Sequence, residues 1–129
     1  MKPVAVYPDV ERLVVDYLKL WLAPDATVGV GVPPGWTLTS TPHVSVALDG
    51  QLIDHPVVAH CTIRCTARAA STTEAKRLAT LAQAHLLAVP DFACGAASLT
   101  GVLPARDPDT HAELASVTVR VSVRSQVLS

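Results

Sequence analysis

The chain has 129 residues, about one domain's worth, and a core of that size needs no disulfide or metal to hold it. Half of the residues are hydrophobic and 16% are charged, which excludes a disordered tail. Only 4% are aromatic, so the core has to be built from Val, Leu and Ala. A net charge of -1 excludes nucleic-acid or anionic-membrane binding driven by bulk charge, and no apolar run approaches the ~20 residues of a membrane span.

Pro8 and Asp9 interrupt the N-terminal segment before any extended apolar region forms, so no secretory signal is expected. Three cysteines, Cys61, Cys65 and Cys94, are an odd and small set for a disulfide scaffold, and reduced thiols in a cytosolic setting are the simpler reading. Asn is absent and Arg outnumbers Lys seven to three, the composition of a high-GC coding genome.

Val10, Leu13, Val14, Tyr17, Leu18 and Trp21 repeat at helical spacing and form one apolar stripe, with Glu11, Arg12, Asp16 and Lys19 largely off it. Pro8 suits the first turn, Asp9 complements the positive end of the dipole and Pro24 stops the run, so a helix is expected over roughly 8–23. Thr27 to Val32 alternates valine with glycine or threonine as a short strand, ended by the turn Pro33-Pro34-Gly35. His43 to Leu48 alternates again, and Asp49-Gly50 reads as a hairpin turn closing it.

Val57 to Ala67 is the third strand. Val57, Ala59, Cys61, Ile63 and Cys65 face one way and His60, Thr62, Arg64 and Thr66 the other, giving one buried and one polar face. Ser71-Thr72-Thr73-Glu74 is a capping-box pattern. It opens a second helix with Leu78, Leu81, Ala82, His85, Leu86 and Val89 on one side, ended by Pro90. An irregular stretch over 91–98 leads to a strand near 99–103 and a loop from Pro104 to Asp109. In the last and longest strand Ala115, Val117, Val119, Val121 and Val123 alternate with Ser116, Thr118, Arg120, Ser122 and Arg124.

No linker or repeat divides the chain. Residues 1–129 are therefore expected to form a single α+β domain of order α-β-β-β-α-β-β, a mainly antiparallel sheet with both helices on one face. The polar face, carrying Arg64, Arg120 and Arg124, is then left to water or to another subunit.

Candidate chemistry is sparse. Cys61 and Cys65 share a strand face about 13 Å apart at ~3.3 Å per residue, too far to chelate one zinc, and His60 points to the opposite face. The two read as small buried hydrophobes. The loop Asp107-Pro-Asp109-Thr-His111 offers ligands for a divalent ion, in residue types that are also ordinary turn formers. Asp54-His55 suggests an oriented base, yet no nucleophile is tied to it. There is no Gly-x-Ser-x-Gly, His-Glu-x-x-His or P-loop, and Gly29-x-Gly31-x-x-x-Gly35 misses the dinucleotide fingerprint by one residue. No catalytic residue, metal or cofactor is expected. His85 reads as a boundary histidine, and Trp36, in the loop 33–42, is either folded back on the core or an interface anchor.

The opening Asp9 to Leu18 helix, the Thr-Val-Gly-Val-Gly-Val-Pro segment, the strand Val44 to Leu48, the Ser-Thr-Thr-Glu-Ala helix start and the closing strand 115–124 come in a familiar order. Over nearly the whole chain this resembles the tail terminator (tail completion) proteins of long-tailed bacteriophages of the siphovirus type, especially those of actinobacterial hosts, which the high-GC composition fits. The resemblance implies a non-enzymatic structural virion protein. It implies a homohexameric ring at the head-proximal end of the tail tube that ends tube polymerisation. Implied partners are the major tail tube protein, the head-completion or neck proteins and genomic DNA in transit, with no membrane. The implied location is the tail–neck junction, reached after assembly in the host cytoplasm.

Three surfaces are candidates for subunit or partner contact: the polar sheet face with Arg64, Arg120 and Arg124, the Trp36 loop with Pro34, and the 91–98 segment with Phe92. Competing readings are another neck or minor tail component, a monomeric binding module, and a small cytosolic enzyme. The enzyme would need a pocket joining at least two of His43, His55, His60 and His111 with a carboxylate.

Overall fold

The computed structural model describes residues 4–54 and 58–128. Along the chain these form β1 (Val4–Val6), α1 (Val10–Leu22), β2 (Thr27–Gly29), β3 (His43–Asp54) and β4 (Val58–Ala69). Then follow α2 (Thr72–Leu87), β5 (Gly95–Arg106), β6 (Glu113–Arg124) and β7 (Gln126–Leu128). Val57 and His55, read above as a strand position and a candidate base, lie outside the described residues.

Uninterrupted period-2 alternation makes β4 and β6 the centre of the fold. They pair antiparallel with Ile63 opposite Val119 and Cys61 opposite Val121, so their apolar rows fall on one face. Ala59, Cys61, Ile63 and Cys65 on β4, and Val117, Val119, Val121 and Val123 on β6, are fully buried there. Each valine contributes roughly 1.5–3 kcal/mol, so the four on β6 alone match the ~5–15 kcal/mol net stability of a domain. The sheet order is β2-β3-β4-β6-β5, antiparallel throughout except that β2 runs parallel to β3. Both helices cover the apolar face, α1 over β2 and β3, α2 over β4, β5 and β6. This is a single α+β domain with the expected order of helices and sheet strands.

The helices start where their caps dictate. Asp9 Oδ1 accepts from Arg12 N at 3.2 Å, so Asp9 is the N-cap of α1 and Pro8 stands outside the helix, not in its first turn. Ser71 Oγ accepts from Glu74 N at 3.2 Å, but the Glu74 carboxylate turns to Arg77 instead of completing a reciprocal box. The buried stripe of α1 is Val10, Val14, Val15, Leu18 and Leu22. Trp21, placed on the stripe by spacing, is more than half exposed and stacks on His85 with ring centroids 4.9 Å apart.

Several boundaries differ from expectation. Asp49-Gly50 is no hairpin turn: β3 continues to Asp54, and a register shift between Leu48 and Gly50 absorbs the extra residue as a bulge. The strand expected over 27–32 stops at Gly29. The strand expected near 99–103 runs from Gly95 to Arg106, absorbing part of the irregular 91–98 stretch and Pro104 from the expected loop. Its register shifts twice, between Ser98 and Thr100 and between Thr100 and Leu103, which hides its alternation. β1 and β7, three residues each, form a separate two-stranded ladder with Val6 opposite Gln126.

Candidate functional site

The second face of the sheet carries no helix, and it divides into a covered end and an open end. At the covered end the loop 30–42 folds back. Trp36 N–H donates to Pro33 O at 3.3 Å around Pro34 and Gly35, whose φ of 74° favours the glycine found there. The turn puts the indole on the sheet: Trp36 is 8% exposed, and its Nε1–H donates to Thr41 O at 2.9 Å. The Arg68 guanidinium lies 5.6 Å from the ring centroid and donates from Nη1 to Asp107 Oδ2 at 2.6 Å. Both partners of that pair are mostly buried. Trp36 is thus folded back, and its indole N–H is spent inside the chain. Pro34 remains exposed at the tip of the turn.

Asp107 was also a candidate metal ligand. Its carboxylate takes the Arg68 hydrogen bond and the Asp109 N–H at 2.9 Å, and these hold its pKa down to about 2. The loop 107–112 is a turn built around Arg68, and Asp107 N and His111 N donate into it at 2.9 Å each.

His43 sits opposite Arg68, buried at 2% exposure. Its Nε2 is 2.6 Å from Gly31 O and its Nδ1 2.7 Å from Thr27 Oγ1. A carbonyl only accepts, so Nε2 carries the proton and Nδ1 accepts from the Thr27 hydroxyl. Burial lowers the His43 pKa, the Gly31 carbonyl opposes that, and Arg68 adds to the lowering.

The open end is lined by hydroxyls and arginines. Thr62, Arg64 and Thr66 on β4 stand beside Ser116, Thr118, Arg120, Ser122 and Arg124 on β6. Arg64 lies opposite Thr118 and Arg120 opposite Thr62, a diagonal with a Cα separation of roughly 7–8 Å. His60 Nδ1 and Ser122 Oγ are 2.7 Å apart between Arg120 and Arg124. Arg64 reaches Asp49 in the bulge at 3.4 Å. Five of the seven arginines are in ion pairs. Among the described residues Arg120 and Arg124 are in none, and both point from β6 to this face. At its margins Leu52, opposite His60, and Leu103, opposite Ser116, are 69% and 56% exposed.

The sheet's two outer edges are only partly open to strand addition. Beyond β2, the Leu48 N–H on β3 donates to Glu11 Oε2 of α1 at 2.9 Å. The β5 edge is broken by its two register shifts and by Pro104, devices that discourage strand addition. Gln83 of α2 clamps it further, donating to Ser98 Oγ and Thr100 O at 3.1 and 3.3 Å.

Phe92 lies elsewhere, packed partly on the core and edge-on to Tyr17. Phe92 and Arg124 do line one open cleft of about 470 Å³ with Pro8, Leu13 and Asp91, so two of the three expected surfaces meet there. The thiols of Cys61 and Cys65 are buried in the core, and burial pushes Cys61 up and Cys65 to about 12. Cys94 is exposed, its thiol directed at Ser122 O at 3.4 Å. His43 and His60 are separated by the eight positions from Arg68 to His60 along β4, roughly 26 Å at ~3.3 Å per residue. His111 is exposed on the 107–112 loop.

Sequence reasoning missed Arg68, Leu52 and Leu103. Arg68 continues the even-numbered register of Arg64, a signal that places it on the polar face. Leu52 lay behind the supposed Asp49-Gly50 turn, and the β5 register shifts hid which way Leu103 points. Comparison with known protein families and with curated proteins finds no match to this chain. No helix among the described residues is long and apolar enough to cross a membrane.

Proposed function

We propose that the chain is a ring-forming tail terminator of a long-tailed phage: a homohexamer at the head-proximal end of the tail tube that ends tube polymerisation and receives the head-completion proteins. The observation that carries this reading is the helix-free end of the sheet, rich in hydroxyls and bearing two arginines without partners among the described residues. In this reading the face meets the tube or neck proteins that flank the ring, where arginines without partners in the chain find carboxylates. The element order α-β-β-β-α-β-β supports the same reading, because the resemblance rests on that order. A closed ring needs a heterologous contact, two different patches that repeat until the rotation closes. With the β5 edge broken by its register shifts and Pro104, that contact in this reading runs through side chains on that side and not by extending the sheet. The subunit performs no chemistry and holds no cofactor in this reading, and a net charge near zero lets DNA pass the ring without tight phosphate contacts.

Cryo-electron microscopy of intact particles tests it. A sixfold ring of this chain between tube and neck is the expected result. Density for the chain at any other position overturns the terminator assignment. A major tail protein gene immediately downstream of the reading frame is the expected genetic context.

A further inference from the structure

We infer that the open end of the sheet is a docking surface for a carboxylate-bearing protein, read by Arg120 and Arg124 with Leu52 and Leu103 as apolar margins. The inference rests on the chemistry of this face and holds whether or not the subunit forms a ring; in the ring reading the partner is a neighbouring tube or neck protein.

The charge census gives the sign of the partner. Arg120 and Arg124 lie four residues apart on one strand, so both project to the same side, about 13 Å apart at ~3.3 Å per residue. Neither has an acidic partner among the described residues, whereas every other arginine has one. The described lysines, Lys19 and Lys76, are on the helices, so the sheet face uses only the planar, bidentate cation suited to carboxylates. Thr62, Thr118 and Ser122 add hydroxyl donors between them.

The leucines give the class. Two exposed leucines on the margins of a hydroxyl face have no use against a phosphate backbone, but they fit the mixture of arginine and apolar contact at a protein interface. The area is of the right order. From Val58 to Thr66 along β4 and across four strands the open end covers roughly 500 Å², more than half of the ~800 Å² that one side of a stable contact buries.

A second copy of this chain is a poor occupant. Six described carboxylates are already in ion pairs. Asp9 caps α1 and Glu11 holds the Leu48 N–H. Besides Asp54, whose side chain lies outside the described ones, Asp91 and Asp109 remain; they lie in two separate clefts, that of Asp91 shared with Arg124. Asp25 and Glu74, which do lie together, are already turned to Arg77.

The test uses the full chain and three fluorescent probes: a 15-residue peptide repeating Glu-Leu-Ser, its Lys-Leu-Ser counterpart, and a 20-base-pair duplex DNA. Binding is followed by anisotropy, with thermal melts to check that each variant is folded. Wild type is expected to prefer the glutamate peptide, and R120S/R124S to bind it about tenfold more weakly. R120E/R124E is expected to reverse the preference toward the lysine peptide, and L52S/L103S to weaken the glutamate peptide while leaving DNA unaffected. A wild type that prefers the duplex and ignores L52S/L103S makes the face a phosphate surface and overturns the proposal. So does a glutamate peptide that fails to bind wild type or binds R120S/R124S equally well. The ring assignment stands or falls separately, on the particle density.

Discussion

The helix-covered face and the helix-free face of the sheet are made by the same strands, one residue apart, and obey different rules. On the covered face nearly every position of β4 and β6 is Ala, Val, Ile or Cys at zero exposure, and only Glu113 at the start of β6 carries a hydrogen-bonding duty, accepting from Arg106. On the other face the strands carry Thr, Ser and Arg, and only the end under Trp36 is sealed. That sealing is done by a few directional contacts, the Trp36–Arg68–Asp107 stack and the His43 bonds, instead of by a layer of aliphatic packing. One face therefore holds the fold by area, and the other spends its positions on specific partners, inside the chain at one end and outside it at the other.

The largest expected effect breaks the area rule. Val119→Asp buries a carboxylate with no partner, a penalty of several kcal/mol that takes most of a domain's net stability. Circular dichroism should find no cooperative unfolding transition. Thr118→Asp, one residue away and opposite Arg64, should melt within about 1 kcal/mol of wild type. Equal damage from both would mean that the two faces are not distinguished as described.

Next comes the sealed end. Trp36→Ala removes a buried indole from over Arg68, and large aromatic truncations cost about 3–5 kcal/mol in a packed site. At ~4 °C per kcal/mol for a chain of this size, the melting temperature should fall by about 12 °C or more. A fall of only ~4 °C would mean that the indole merely rests on the sheet.

How much of this was legible in the sequence follows from the same contrast. The area rule is periodic, so Cys61, Ile63, Val117 and Val119 could be placed on the buried face from alternation alone. Sealing by directional contacts is not periodic. Arg68 and Asp107 are 39 residues apart, and nothing local to either announces the other. Trp36 likewise left two readings open, because only the tertiary position of Arg68 decides between them. The strand β5 was shortened in the reading because two register shifts and Pro104 erase its alternation, and β3 was cut at Asp49-Gly50 because a bulge uses the residues of a turn. β1 and β7 are three-residue strands whose pairing joins opposite ends of the chain, a contact without a local signal.

A smaller effect separates His43 from its neighbours by pH. Its folded pKa is lowered, chiefly by burial, so the unfolded chain binds a proton that the folded chain resists. Stability from this group is fully present above the ordinary value of 6.5 and is lost as pH falls from there toward the folded-state value. Denaturant midpoints of wild type should therefore drop between pH 7 and pH 5. His43→Gln, which keeps a donor and an acceptor but cannot titrate, should flatten that slope. An unchanged slope in the variant would move the acid sensitivity to another group.

The smallest expected effect lies in the second arginine–aspartate pair on this face. Arg68–Asp107 is short and largely buried, whereas Arg64–Asp49 spans 3.4 Å with side chains 51% and 37% exposed. An exposed pair gains little because water screens it and two long side chains must be held still, so its worth is about 0–0.5 kcal/mol. Arg64→Ser should leave the melting temperature within about 2 °C of wild type, and added salt should not widen the gap. Arg68→Ser should be far more costly, since it strands the Asp107 carboxylate and uncovers the indole. If Arg64→Ser instead cost as much as Trp36→Ala, the Asp49 bulge would depend on that ion pair. The open end of the sheet would then be part of the fold's own scaffold, with fewer positions left to meet anything else.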